Sequence, residues 1–208
     1  MKILVAAATA LEIPSFVNNT QQADVLITGV GLPLTLYSLQ KRLSQINYDL
    51  VIQAGIAGAF TNEFNLGETV LVKQDTFGDI GFEETEIFTP FFETTLFNKN
   101  EFPFEDGWLL NKNKLLTQSN LELVKAITVN KISDNIKTKA QQENIFNAEI
   151  ETMEGAALHY VCLQENIPFI QLRSISNYVG ERNKAKWKME EAISNLNIEL
   201  SKLINELT

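Results

Sequence analysis

The chain begins "MKILVAAATALEI", Met1 to Ile13, and its fold turns on whether this stretch is a leader or a strand. A secretory leader combines a basic start, a sustained apolar stretch and a small-residue cleavage site. Here the apolar run is brief, Glu12 interrupts it and Pro14 follows. Ile3–Ala7 therefore reads as a first β-strand, because a short continuous apolar run suits a strand buried on both faces. A strand of that kind implies a parallel α/β sheet. Glu12 then falls just past the strand's carboxyl end, the edge where such sheets bind ligands.

Similar runs recur along the chain. Ala23–Thr28, "ADVLIT", ends at Gly29-Val30-Gly31. Pro33 opens a helical pattern to about Gln45, with Leu32, Leu36, Leu39 and Leu43 on one face. Asp49–Gln53 is a third strand, closed by the small-residue run Ala54–Gly58, and Glu68–Lys73 a fourth. Leu121–Val129 follows as a strand, Thr152–Gln164 as a helix and Phe169–Ile175 as a strand that ends before Asn177. Lys186–Leu207 carries Met189, Ile193, Leu196, Leu200, Leu203 and Leu207 at helical spacing. Strands alternating with helices predict one α/β domain over residues 1–208, with a twisted, mostly parallel or mixed sheet flanked by helices. Between about residues 76 and 113 the pattern breaks. The stretch "GFEETEIFTPFFETTLFNKNEFPFEDGW" is too apolar for a solvated linker and reads as a lid or an oligomer contact.

Composition narrows the class of protein. With 208 residues, 45% of them hydrophobic, the chain can bury a sizeable core and is not a disordered segment. A net charge of −9 argues against nucleic acid or an anionic membrane as partner, since both attract a basic face. The single cysteine, Cys162, allows no internal disulfide and suits a reducing compartment. No stretch approaches the roughly 20 apolar residues a spanning helix needs. A cytoplasmic protein is expected.

The polar residues then have to carry the chemistry. Gly29-Val30-Gly31 and Gly55-Ile56-Ala57-Gly58 both fail the dinucleotide fingerprint, and no P-loop sequence occurs. The sole histidine, His159, lies three residues from Cys162 on a packed helix, too few N and S ligands for zinc. No metal and no cofactor are expected. Carboxylates remain. Taken singly, Glu12 is an ordinary helix-opening glutamate and Glu154 serves a helix dipole. Collected at the ligand-binding edge of one sheet, they point to a site.

In order and spacing, "KILVAAATALEI", "VIQAGIAGAF", "ETMEGAAL" and "FIQLRSISNYVG" resemble the purine nucleoside phosphorylase and nucleosidase superfamily. The likeness covers Met1–Gly58 and Glu149–Gly180 and is weak in the Phe-rich middle. It implies cleavage of the N-glycosidic bond of a small-molecule nucleoside, in a homo-oligomer. Residue by residue, it implies that Glu12 activates the attacking water and that Met153 lies against the ribose. Glu154 would grip the ribose hydroxyls, Gly58 would sit beside the sugar, and Asn177 would read the purine and help release it.

Two local features narrow the branch. A phosphorylase binds inorganic phosphate, which arginine suits bidentately. Of Arg42, Arg173 and Arg182, none lies in the early loops, and Ile56 takes a position where a hydroxyl could serve phosphate. Water is thus the expected nucleophile, and Arg173, inside a strand, reads as an ion-pair residue. The adenine-specific methylthioadenosine/S-adenosylhomocysteine nucleosidases carry aspartate in "ISD" where this chain has "ISN". An amide NH2 can donate to O6 and N7 of a 6-oxopurine, so Asn177 points to hypoxanthine. An adenine nucleosidase, a phosphate-dependent phosphorylase and a non-catalytic nucleoside-binding protein are the alternatives.

Overall fold

The computed structural model describes residues 1–17 and 22–207. The opening run forms β1 (Ile3–Ala7), buried at all five positions. A short helix, α1 (Pro14–Val17), follows Glu12, and then β2 (Asp24–Ile27) and α2 (Leu32–Leu43). Gly31, whose φ of +93° is open to glycine, caps the start of α2, and Pro33 lies in the first turn. β3 (Leu50–Ala59) and β4 (Thr69–Phe77) come next, followed by a hairpin of β5 (Gly81–Glu84) and β6 (Ile87–Pro90). Then come β7 (Leu109–Leu110), β8 (Glu122–Thr128), α3 (Ile136–Phe146), β9 (Ile150–Thr152), α4 (Gly155–Gln164), β10 (Phe169–Tyr178) and α5 (Met189–Leu207).

The main sheet runs β10-β4-β8-β9-β3-β1-β2, and β10 also pairs with β3. The five strands from β3 round to β9 therefore close on themselves, while β1 and β2 extend the sheet from one edge of β3. Pairing is mixed: β1–β2, β1–β3, β10–β3, β4–β8 and β8–β9 are parallel, and β10–β4, β3–β9 and β4–β7 antiparallel. Small and β-branched residues fill the closed part, among them Ala57, Ala59, Val70, Val72, Ala126, Ile150 and Ile175. Helix α5 covers one face of the sheet with Leu196, Leu200 and Ile204, spaced four apart. Helices α2 and α4 cover the other with Leu39, Leu43, Leu158 and Val161.

Four sequence expectations shift. The run Ala54–Gly58, read as a loop closing the third strand, is the second half of β3. Its ladder to β10 continues to Ala59, so backbone pairing overrides the low strand propensity of glycine. Asn177 lies inside β10, not past its end, and a bulge falls between Ile175 and Asn177. Ile150–Thr152 is a strand, so α4 begins at Gly155 and not at Thr152. Helix α5 begins at Met189, because Asn183 accepts from the N–H of Ala185 and caps a separate 3-10 turn over Lys184–Lys186.

The Phe-rich segment divides in two. Phe77, Phe97 and Phe104 pack on one another and on Tyr160 of α4, with ring centroids 5.0 to 6.2 Å apart. Phe92 and Trp108 pack on Phe146 of α3. By contrast, Phe82, Ile87, Leu96 and Phe102 are exposed. Among the described residues, no helix is long and apolar enough to cross a membrane.

Candidate active site

Glu12 follows β1 by five residues in a tight turn, yet it is buried. Its Oε2 accepts from the backbone N–H of Thr9 at 3.0 Å and from the Thr9 hydroxyl at 3.2 Å. Its Oε1 accepts from the N–H of Ile56, in β3, at 3.3 Å. Asn197 of α5 donates to the Glu12 carbonyl at 2.9 Å, which pins the turn to the closing helix. The small residues of "AAATALE" are what let this turn pack against β3.

Glu154 is the residue before α4 and is also buried. Its side chain does not cap its own helix. Instead Oε1 accepts from the N–H of Gly31 at 2.9 Å, which joins the loop after β2 to the start of α4. Burial pushes its pKa up, while Arg173 and the N–H groups of Gly31 and Met153 lower it and Glu12 raises it further. The charge of Glu12 is thus felt at Glu154. Met153 is half-buried beside it.

Arg173 joins the two carboxylates. It is 1% exposed, stands in β10 opposite Gly55, donates to Gln53 Oε1, and has Nη1 3.9 Å from Glu154 Oε2. A Cβ at Gly55 would lie 2.3 Å from Arg173 Nη1 and 2.9 Å from Glu12 Oε1. Only glycine lets the guanidinium and the carboxylate come this close to the β3 backbone. The expectation of an ion pair for Arg173 holds, and its partner is the candidate site carboxylate Glu154, a pairing that the strand pattern around Arg173 gave no means of seeing.

A second cluster lies further along β3. Gly58 is in register with Asn177 of β10, and a Cβ there would sit 3.3 Å from Asn177 Nδ2 and 3.2 Å from Val179 Cγ2. The bulge at Ser176 turns Asn177 onto this face. The Ser176 hydroxyl donates to Asn177 Oδ1 at 2.9 Å, and Asn177 Nδ2 donates to the Tyr178 carbonyl at 3.1 Å. These partners fix which end of the amide is nitrogen. On its other side Gly58 pairs with Glu151 of β9, a buried carboxyl raised to about 7 by burial and by Asp79, with Arg182 lowering it.

Beneath α4 lies a third set of polar groups that the sequence reading missed. Asp75 is fully buried and accepts from the Thr128 hydroxyl at 3.0 Å. Burial raises it to about 7, against lowering by Thr128 and Arg173. Thr128 also accepts from the N–H of Ala156 at 2.7 Å, so this network holds the first turn of α4, and with it Glu154, against the sheet. His159 is a core residue, its Nδ1 2.9 Å from the Leu109 carbonyl and its pKa lowered to about 4 by burial. Cys162 is buried in the same helix. Among the described residues, no cluster of His, Cys, Asp and Glu could hold a metal ion.

A family model described as the phosphorylase superfamily matches residues 19–207, and the chain belongs to that superfamily. Glu12 precedes the matched range. A futalosine hydrolase of Thermus thermophilus is 28% identical over 184 residues, covering 87% of this chain and 80% of that protein. A 5'-methylthioadenosine/S-adenosylhomocysteine nucleosidase of Psychromonas ingrahamii is 23% identical over 200 residues, covering 91% and 83%. Both relatives are nucleosidases, that is, N-glycosidases. In fold, the chain is similar to the 5'-methylthioadenosine/S-adenosylhomocysteine nucleosidase of S. pneumoniae solved with a transition-state inhibitor. The TM-score is 0.82 at 17% identity, with 100% of each chain covered.

Proposed function

We propose that this N-glycosidase is a futalosine hydrolase. It cleaves futalosine to hypoxanthine and dehypoxanthine futalosine, a cytoplasmic step of menaquinone biosynthesis. The observation that carries this reading is the fixed amide of Asn177. With Oδ1 taken by Ser176, its Nδ2 faces the space over Gly58 and offers a donor to the base. Hypoxanthine presents acceptors at O6 and N7. Adenine presents a donor at N6, which an N–H cannot satisfy, and mismatched buried polar groups discriminate strongly.

The rest of the site supports hydrolysis. Over Gly55 an acceptor, Glu12, and a donor, Arg173, come close to each other, and together they are the polar partners an attacking water needs. Glu12 takes the proton of that water as it attacks C1′. Glu154 holds the ribose hydroxyls, with Met153 against the sugar and Gly58 beside it, so that C1′ stays close to the water. Arg42 donates to Tyr48 and Arg182 lies over Trp187, so Arg173 alone of the three arginines stands beside Glu12 and Glu154. That favours water over phosphate.

Futalosine also carries a benzoate. Lys112 pairs with Glu105, whereas Lys131 lines a cavity of about 290 Å³ with Phe82 and Phe88. Two aromatic rings and an ammonium suit an aromatic carboxylate, and they make the β5–β6 hairpin the lid. Asp79 and Glu83 line the same cavity, Asp79 already accepting from the N–H of Asn130. The exposed Val30, Leu34 and Tyr37, next to Gly31, are apolar surface for a second copy of the chain in a homo-oligomer.

The likeness to methylthioadenosine/S-adenosylhomocysteine nucleosidases in sequence and fold favours one second reading, with a 6-aminopurine as the base. One panel separates the two: futalosine, inosine, methylthioadenosine and S-adenosylhomocysteine, each with and without phosphate, with the released base identified. Fastest turnover of futalosine, independent of phosphate, is expected. Preference for either 6-amino nucleoside would sink the futalosine reading, and a phosphate requirement would make the chain a phosphorylase.

A further inference from the structure

Three adjacent strands set Asn177, Gly58 and Glu151 in one row. Gly58 is the register partner of Asn177 on β10 and of Glu151 on β9. Register partners directly opposite each other carry their side chains on the same face. The amide of Asn177 does stand on the face of Gly58, 3.3 Å from where a Cβ would be, so Glu151 stands on that face too. Strands lie about 4.8 Å apart, which puts the outer two backbones about 10 Å apart with only a glycine between them. Ile127 of β8 is in turn the register partner of Glu151 and extends the row, and it packs with Val129 and with Phe60 and Val179, two residues further along, in one apolar cluster. An amide and a carboxyl thus flank Gly58 on the two neighbouring strands, with Val179 Cγ2 beside it, 3.2 Å from where a Cβ would be.

An amide can donate a hydrogen bond to a leaving purine but cannot give up a proton to it. We propose that Glu151 is a catalytic residue, the acid that protonates the departing base. This rests on the nucleosidase reading above. The step balances as follows. The C1′–N9 bond breaks and its electron pair goes to the purine. The Glu151 O–H proton passes to the base heteroatom facing β9, while Asn177 donates to the one facing β10. Water adds to C1′ and gives its proton to Glu12. Solvent then returns a proton to Glu151 and removes one from Glu12, leaving base, sugar and enzyme.

The surroundings suit an acid. Burial keeps the Glu151 proton in place up to about pH 7, Asp79 from the turn after β4 strengthens that effect, and Arg182 from the loop after β10 opposes it. Glu149, two residues earlier and just before β9, is occupied in accepting from the N–H of Lys125. The other carboxyl with a similar pKa, Asp75, is fully buried against Gly155 under α4 and is not on this face.

The test is Glu151→Gln, which keeps the shape and a hydrogen-bond donor but no transferable proton. Its turnover is compared with wild type on the best nucleoside of the panel and on the N7-methylated form of that nucleoside, whose cationic base leaves without a proton. A loss of about 100-fold or more is expected on the neutral nucleoside, with turnover near wild type on the methylated one and the basic limb of the kcat–pH profile abolished. Equal losses on both substrates, or wild-type turnover on the neutral one, would overturn the proposal. Glu151→Asp serves if the glutamine variant does not fold: it should keep part of the activity and the basic limb, and loss of that limb would also overturn the role. The ratio is taken on whichever nucleoside the wild type cleaves, so a wrong base assignment shows in the panel and not here. A wild type that cleaves no nucleoside overturns both readings.

Discussion

Arg173 and Glu12 face each other across Gly55. A single methyl group on that glycine would come within 2.3 Å of the guanidinium and 2.9 Å of the carboxylate. Contacts that short do not persist, so one of the two side chains must move. Gly55→Ala should therefore lower kcat by roughly 100-fold, the usual effect of misplacing a reacting group by about 1 Å. Steady-state kinetics beside a thermal melt would check this. Unchanged turnover would mean that the placement of Glu12 and Arg173 around Gly55 does not matter to the reaction.

Glu12→Gln keeps an oxygen to accept from Thr9 or Ile56 but cannot take a proton. Turnover should fall by roughly 10²–10⁴-fold, the range for losing a general base, with the circular dichroism spectrum unchanged. Near-native hydrolysis by the folded variant would remove Glu12 from the role.

Asn177→Asp exchanges a donor for an acceptor beside the base. Futalosine turnover should fall, and the ratio of 6-amino to 6-oxo nucleoside turnover should rise by about tenfold or more, since a mispaired buried group costs about 1–3 kcal/mol. Competition assays with paired adenine and hypoxanthine nucleosides measure it. An unmoved ratio would place base reading elsewhere.

Gly155 begins α4 under the buried network. A Cβ there would lie 2.1 Å from Gln171 Nε2 and 2.2 Å from Asp75 Oδ2, both on side chains packed in the interior. Gly155→Ala should destabilise the protein by about 1–3 kcal/mol, as overpacking does, even though alanine favours helix over glycine. Urea melts would detect the loss, and a more stable variant would refute the packing argument.

Asp75 makes stability depend on pH. Its folded pKa, about 7, lies above its ordinary 3.8. Between those values the folded state binds more protons than the unfolded state, so this group's contribution falls as pH rises from about 4 to 7 and then levels. Glu151 acts in the same direction between 4.5 and about 7, while His159, lowered from 6.5 to about 4, acts oppositely. Asp75→Asn keeps an acceptor for Thr128 and removes one titration. Its Tm relative to wild type should rise between pH 4 and pH 8. A constant difference would show that Asp75 does not titrate there.

Much of the architecture was legible as apolar runs. β1 matches its run at both ends, and α2 and α5 match their periodic leucines within a few residues. The run Ala54–Gly58 was not legible, because a strand made of small residues has no side-chain pattern, and its state depends on β10 lying alongside. For the same reason Asn177 was expected beyond β10 and not on a bulge within it. Glu12, Glu154, Gly58 and Asn177 stood out at strand ends beside small residues. Asp75 and Glu151 did not, since an acid inside a strand carries no local mark of burial.

The sequence by itself determined a mixed α/β sheet and the residue types gathered at its carboxyl edge, because alternation of apolar runs and the spacing of glycines are local properties. Only the tertiary structure decided that Arg173 comes between Glu12 and Glu154, that Ser176 fixes the amide of Asn177, and that Glu151 stands across Gly58 from it. Those relations are contacts between strands far apart in the chain, made when β3, β9 and β10 come into register. Burial in that register is also what moves the carboxyl of Glu151 toward neutral pH, a property no stretch of sequence carries alone.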